Sequence, residues 1–418
     1  MNEDSCKNLL QILFDKSWRA ASPQLCLPPF LPPVPKGRTV VIGAGKASAE
    51  MARALEDNWP SDLFDDLQGT VLTRYGHSAP TKHIKIIEAA HPVPDEAGVA
   101  GTREILELVS SLSADDLVIC LISGGGSALL TAPATDITLA EKQDINRQLL
   151  ASGAPIDEMN CLRKHLSAIK GGRLAVAAYP AQIVCLMISD VPGDDPSVIA
   201  SGPTVADVST TGQALEIVAK YQLQLPDSVR RFLNSPEAET PKPGDPRLAN
   251  TKNHVIAAPA QSLTQAALAG KQAGYQVTNL GDGVEGEARE VAQQHAALAL
   301  SAKPGIIISG GETTVTIRGT GRGGRNGEYA LALAIALDGA AKISAIAADT
   351  DGIDGIEDNA GAIITPTTLS RARELGLNPQ AFLDNNDAYS FFEKLGDLVF
   401  TGPTRTNVND FRAILIER

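Results

Sequence analysis

Two glycine-rich turns carry the first chemical signal in the sequence. Val41-Ile42-Gly43-Ala44-Gly45-Lys46-Ala47-Ser48 runs from an apolar stretch into a helix, and Ser123-Gly124-Gly125-Gly126-Ser127 does the same after Val118–Ile122. Glycines at 43 and 45 let backbone approach a phosphate, and the amides of a helix's first turn point at it. Three consecutive glycines between hydroxyls suit a nest for phosphate oxygens, or a tight turn with nothing bound. Lys46 lies at the positive end of a helix, where a held anion would relieve an unfavourable placement. The first turn resembles a dinucleotide fingerprint with Ser48 in place of the third small residue. The next strand ends at Thr73-Arg74, so the acidic ribose partner is missing as well. It is not a Walker A motif, since Ala47 stands where Ser or Thr should follow the lysine.

Charged residues mark five further segments. In Asp157–Leu174 the positions Leu162, Leu166 and Ile169 mark a helical buried stripe, while Arg163 and Lys170 share another face. That basic face is either solvated or a grip for an anion. Asp190 opens the turn Ser189–Asp195 after an apolar strand, a common way to present a metal ligand or general base, and equally a turn residue. Ser309-Gly310-Gly311-Glu312 follows the run Ile306–Ile308 and is a candidate nucleotide or substrate contact. Between Arg318 and Glu328, three arginines stand among five glycines ahead of a helix. The expectation is a mobile cationic loop whose Arg325 forks onto phosphoryl oxygens. Asp349–Gly355 fails as a calcium loop because Ile353 sits where an oxygen ligand is needed, which leaves Asp351 as a magnesium or nucleotide contact. With no HExxH, GxSxG or protein-kinase signature set, these parts fit phosphoryl transfer, in which Mg²⁺ bridges the phosphates of ATP.

The elements that must position these residues follow a repeated pattern of apolar strand, polar turn and helix. Strands are expected at Val40–Ile42, Val71–Thr73, Lys85–Glu88, Val118–Ile122 and Ile183–Ile188, continuous β-branched runs that suit a parallel sheet covered on both faces. The polar, proline-rich stretch 235–253 reads as a domain boundary. A second series then begins at Val255–Ala258 and continues through Gln276–Leu280, Ile306–Ile308, Thr313–Ile317, Ile343–Ala347 and Leu398–Phe400. The fold class is therefore α/β, with a Rossmann-like mostly parallel sheet in the first domain, 1–240, and a smaller α/β domain in 241–418.

Bulk properties narrow the partners. A chain of 418 residues exceeds what one core usually organises. Its formal charge of −13 argues against nucleic acid or an anionic membrane, though not against a small anion held by local cations. Five cysteines without CxxC spacing fit a reducing compartment, with Cys120 and Cys185 as core. The acidic first residues lack a signal pattern, and no apolar run approaches the ~18 residues of a membrane helix, so the expected location is cytoplasmic.

Taken together, VVIGAGKASAEMA, HPVPDEAG, ISGGGSALL, RKHLSAIKGGRLA, SDVPGDDPSVIASGPT, SGGETTVTIRGTGRGGRNGEYALA, DTDGIDG and TGPTRTNVNDF resemble the glycerate 2-kinase family with its C-terminal MOFRL domain. Some members of that family carry the label hydroxypyruvate reductase. The resemblance runs in order from about residue 6 to the end. It implies two α/β domains facing a cleft and transfer of phosphate from Mg·ATP to D-glycerate, most simply at the 2-hydroxyl. It also implies catalytic roles for Lys46 and Arg325, the two residues already singled out for anion handling. Nucleotide or substrate contacts are then expected at Gly43, Gly45, Ser123, Gly124, Gly125, Gly126, Ser127, Arg163, Lys170, Asp190, Gly310, Gly311, Glu312 and Asp351, with Asp190 and Asp351 the candidate metal ligands. A homodimer stays open. The rival readings are an NAD(P)-dependent hydroxypyruvate reductase and a two-domain solute-binding protein without catalysis.

Overall fold

The computed structural model describes residues 2–60 and 67–417. They divide into two compact units, one running from Cys26 to Ile256, the other joining the chain up to Leu25 with the chain from Ala257 onward. The expected boundary at 240/241 thus moves to 256/257, and the N-terminal helix Glu3–Ala20 belongs with the C-terminal segment rather than with the segment that follows it.

The Cys26–Ile256 unit is built on a sheet of β1 (Thr39–Ala44), β2 (Leu67–Arg74), β3 (Ile84–Ala89), β4 (Leu117–Ile122), β5 (Gln182–Ile188) and β6 (Thr251–Ala257). The order is β3-β2-β1-β4-β5-β6, and the pairs from β3 through β5 are parallel. Every residue of β1 and β4 is buried. Val40, Ile42 and Ala44 share one cluster with Val118, Cys120 and Ile122, as the period of two requires. The stretch Val255–Ala258, expected to open the second domain, is instead the end of the sixth strand of the first sheet. Progressive winding reverses direction between β1 and β4. In such sheets that reversal opens a crevice beyond the strands' C-terminal ends, where ligands bind.

The other unit carries β7 (Val277–Asn279), β8 (Val284–Glu287), β9 (Gly305–Thr314), β10 (Ile343–Asp349), β11 (Gly361–Ile364), β12 (Leu398–Val399) and β13 (Asp410–Ile416). Its order is β12-β11-β10-β13-β9-β7, with β8 also on β9. The sheet is mixed: β7 and β8 run parallel to β9, and the remaining pairs are antiparallel. Alternate strand residues enter different cores. Ile307, Ala345 and Ile414 pack with helices Ala288–Ser301 and Arg325–Leu337, whereas Ile306, Ile346 and Leu415 pack with helix Glu3–Ala20. Among the described residues no helix is long and apolar enough to cross a membrane.

Candidate active site

The turns after β1 and β4 lie side by side at the reversal point and are tied to each other. The Lys46 amide donates to the Gly124 carbonyl at 2.8 Å, and the Ala47 amide donates to Ser123 Oγ at 2.9 Å. Ser48 Oγ donates to the Leu121 carbonyl and lies 3.2 Å from Ser123 Oγ. Gly45 has φ of +148°, and a Cβ there would come within 2.1 Å of Ser123 Oγ, so the two turns can meet this closely only at a glycine. This differs from the expectation that the first amides after β1 point at a ligand: two of them hold the neighbouring turn. Gly43 lies within β1, where a Cβ would strike the Leu121 carbonyl, and with Ser123 it positions the loops. The Lys46 side chain is half-buried and lies beside the backbone of Gly125. A Cβ on Gly125 would sit 3.5 Å from Lys46 Cγ and 3.0 Å from the His91 ring, which brings those two side chains to the same spot.

A cavity of about 390 Å³ opens beside this turn, lined in part by His91, Gly125, Ser127, Arg163 and Lys170. Lys170 is fully buried beyond the end of helix Ile156–His165. Its Nζ donates to the Ser127 carbonyl at 2.7 Å, to Ser127 Oγ at 3.2 Å and to the Ala200 carbonyl at 3.4 Å. Ser127 Oγ also pairs with Ser201 Oγ, and both Ala200 and Ser201 hold left-handed backbone, with φ of 51° and 62°. Burial holds the Lys170 ammonium well below its ordinary range, and Lys142 and Arg163 push the same way. Arg163 donates through Nε to Asn146 Oδ1 at 2.8 Å. The expected shared helical face of Arg163 and Lys170 does not form, because the helix ends at His165; both residues line this cavity instead. Asp190 follows the end of β5, half-buried, whereas exposed Asp195 accepts the Ser197 amide at 2.8 Å as a turn residue. His165 is packed, its Nδ1 2.8 Å from the Cys161 carbonyl.

In the other unit the candidates converge on Arg325, the first residue of helix Arg325–Leu337. Register sets Asp349, Asp410 and Gly311 in a row across β10, β13 and β9. Arg325 reaches that row by three edges: Nε to Asp410 at 2.7 Å, Nη1 to Glu312 at 2.8 Å and Nη2 to Asp349 at 3.0 Å. Burial works against its charge, but Asp410, Asp349 and Glu312 outweigh it and hold the guanidinium above its ordinary range. Asp410 also accepts from Asn326 and from buried Arg412. The helix's own first amides, on Asn326 and Gly327, donate to the buried Asp354 carboxylate at 2.9 and 2.7 Å.

The loop ahead of this helix is pinned, contrary to the expectation of mobility. The Arg318 and Gly319 amides donate to Asn386 Oδ1, and the Arg322 amide donates to Asp387. Gly319 and Gly321 press on residues 385–387 with no room for a Cβ. Arg322 pairs with Glu357 over the Tyr389 ring. Gly310 and Gly311 sit inside β9, not in a turn after it, because β8 runs against Gly311. Asp351 is buried and accepts the Ile353 amide at 2.9 Å. Among the described residues no group of three or more His, Cys, Asp and Glu side chains could hold a metal ion. Asp190 and Asp351 fall in different units.

Two family descriptions match: a domain of unknown function, DUF4147, over residues 9–234, and the MOFRL family over 305–410. The D-glycerate 2-kinase of Thermotoga maritima is 39% identical over 97% of this chain and 97% of that protein. The chain belongs to the glycerate 2-kinase family. A crystal structure of glycerate kinase from Thermotoga maritima superposes on it with a TM-score of 0.89 at 39% identity, covering 99% of this chain and 100% of that one. A protein of Agrobacterium vitis, provisionally named a hydroxypyruvate reductase, is 52% identical over 99% of this chain and 95% of its own length. The family thus includes proteins under both names, as the resemblance implied.

Proposed function

We propose that the protein transfers the γ-phosphoryl group of ATP to the 2-hydroxyl of D-glycerate, giving 2-phosphoglycerate and ADP. The likeness to the Thermotoga D-glycerate 2-kinase over nearly the whole of both chains carries this reading. Lys46 and Arg325 are proposed as catalytic cations, which would stabilise charge spreading over the phosphoryl oxygens more than they stabilise bound substrate. Gly124–Ser127, Arg163 and Lys170 are proposed as contacts to substrate or nucleotide, with Glu312, Asp190 and Asp351 as further polar contacts. Gly43, Gly45, Ser123, Gly310 and Gly311 act by shaping the backbone. Described residues offer no cage of protein ligands, which fits a magnesium ion that arrives on the nucleotide and takes one or two carboxylates, for which Asp190 and Asp351 are the candidates. That ion would neutralise phosphate charge. A cytoplasmic location accords with such metabolism.

The reductase reading draws on the 52% identical relative. The site disfavours it, because the first turn lacks the third small residue, β2 ends at Thr73-Arg74 with no carboxylate, and Thr73 Oγ1 is occupied by the Gly45 carbonyl. Phosphorus NMR of the products from D-glycerate and ATP, with Mg²⁺ and after EDTA, tests the kinase reading. Absence of a new phosphomonoester with Mg²⁺ present, alongside hydroxypyruvate-dependent loss of NADH or NADPH absorbance, would replace it.

A further inference from the structure

The cavity beside the Gly125 turn contains a cation that the sequence did not single out. Lys142 lies in the first turns of helix Leu139–Ala151, whose start is fixed by a capping box between Thr138 and Glu141. It lines the same cavity as Arg163 and Lys170. Its Nζ is buried and has no hydrogen-bond partner. Lys170 and Arg163 bond only to carbonyl, hydroxyl and amide oxygens, and among the described residues no carboxylate lines the cavity. Apolar side chains, Val93, Leu139, Leu150 and Leu162, make up much of the remaining wall.

A buried Lys170, a Lys142 with a buried ammonium and a half-buried Arg163, with no carboxylate on the cavity wall, are an expensive arrangement, because desolvation is not offset by pairing. Lys170 feels repulsion from both Lys142 and Arg163, so the three charges bear on one small space. Burial, and then Arg163, push the Lys142 ammonium down to about 7. A lysine kept for packing would lead its ammonium to water or to an acceptor, as long side chains do. This one ends in the cavity wall without either.

We propose that Lys142, Arg163 and Lys170 together form the receptor for one oxyanion of a bound substrate, the carboxylate of the hydroxy acid or a phosphate of the nucleotide. The inference rests on the kinase reading for the identity of those substrates. An oxyanion here would meet charge-assisted donors in a site poor in water, which is where such contacts are strongest.

The test uses the full-length enzyme with Lys142→Met and Lys142→Arg. Ligand-free Lys142→Met should melt at the wild-type temperature or above, since a buried unpartnered charge has gone. Its KM for one substrate should rise about tenfold or more with kcat little changed, the signature of lost uniform binding. Lys142→Arg should recover most of that loss. A rise confined to D-glycerate identifies the carboxylate as the occupant, and one confined to ATP identifies a phosphate. Calorimetric titration of D-glycerate alone and of MgADP alone gives the same comparison without turnover. Wild-type affinities for both ligands in Lys142→Met overturn the receptor, whatever the melting temperature does. If that variant does not fold, unchanged affinities in Lys142→Gln have the same force. A wild-type protein without phosphotransfer would defeat the kinase reading alone, because the calorimetric comparison still decides Lys142.

Discussion

At Arg325 the guanidinium already has three carboxylates around it, so removing the side chain does two things at once. It takes away a proposed catalytic cation, and it leaves Asp410, Asp349 and Glu312 facing one another without their shared counter-ion. Lys46 sits half-buried on a turn held by backbone bonds. Arg325→Ala and Lys46→Ala should each lower turnover by roughly 10²-fold or more, the scale of one preorganised donor. Only Arg325→Ala should also lower the melting temperature, since breaking a buried pair leaves uncompensated charge. Arg325→Lys should rescue partly, because an ammonium cannot serve three edges in one plane. Steady-state kinetics with D-glycerate and Mg·ATP, beside circular dichroism melts, read both effects; near wild-type turnover in both alanine variants would sink the two assignments. The same assay separates two aspartates. Asp195 is exposed and serves a turn, so Asp190→Asn should reduce turnover far more than Asp195→Asn. Equal, small losses would make Asp190 a turn residue too.

Helix Ala288–Ser301 meets helix Arg325–Leu337 through His295, whose Nδ1 lies 2.8 Å from the Tyr329 hydroxyl. Burial, reinforced by Arg412, pushes the imidazole down to about 4. The unfolded chain therefore takes up a proton as pH falls below about 6.5, while the folded chain does not until near 4. Stability from this residue is present above that window and is lost as pH falls through it. Asp354 opposes the trend: burial raises its carboxyl to about 6, so the folded form binds the extra proton and gains as pH falls from there. The difference between proteins isolates the histidine. In urea melts from pH 7 to 4, His295→Gln should lose less stability than the wild type, and parallel pH profiles would refute the linkage. Helices and strands differ in how far the sequence discloses them. In the first sheet β1, β4 and β5 are legible because each is built on a continuous apolar run, and the turns that follow β1 and β4 stand out as glycine, whereas β6 opens with the polar run Thr251–His254. By contrast, β13 opens with Asp410 and includes Arg412, charges that fit a buried strand only because Arg325, Asn326 and Thr313 answer them from elsewhere in the chain. β11 has four residues and β8 contains two glutamates, too little for an alternation to show. Lys142 was missed for a related reason, since nothing local distinguishes a lysine whose ammonium ends in a cavity from one in water.

At the scale of the whole chain, the N-terminal helix is the element whose place the sequence does not disclose. Amphipathic spacing of Leu9, Leu10 and Leu13 announces a helix with one buried face, but not which distant core receives it. In the structure that face joins Leu263, Ile306, Ile346 and Phe411, with the rings of Phe14 and Phe411 5.9 Å apart. Leu10, Leu13 and Phe14 are completely buried there, about 250 to 400 positions before the residues of that cluster. A helix in water draws most of its stability from tertiary packing, so helix Glu3–Ala20 depends on this contact. Without it, the apolar residues of β10 and β13 on that side would face water. The segment 257–418 expressed alone should therefore be unfolded or aggregated, while 26–256, whose core is drawn from its own residues, should fold cooperatively. Supplying residues 1–25, by fusion or in trans, should restore a cooperative transition to 257–418. In the full chain, Leu13→Ala should cost about 2–5 kcal/mol in the transition of that unit, the range for a buried leucine. Urea unfolding followed by circular dichroism, with each fragment measured separately, reads these effects. A segment 257–418 that unfolds cooperatively at the full-length midpoint without residues 1–25 would show that the helix is an accessory, and that the second unit holds its fold without it.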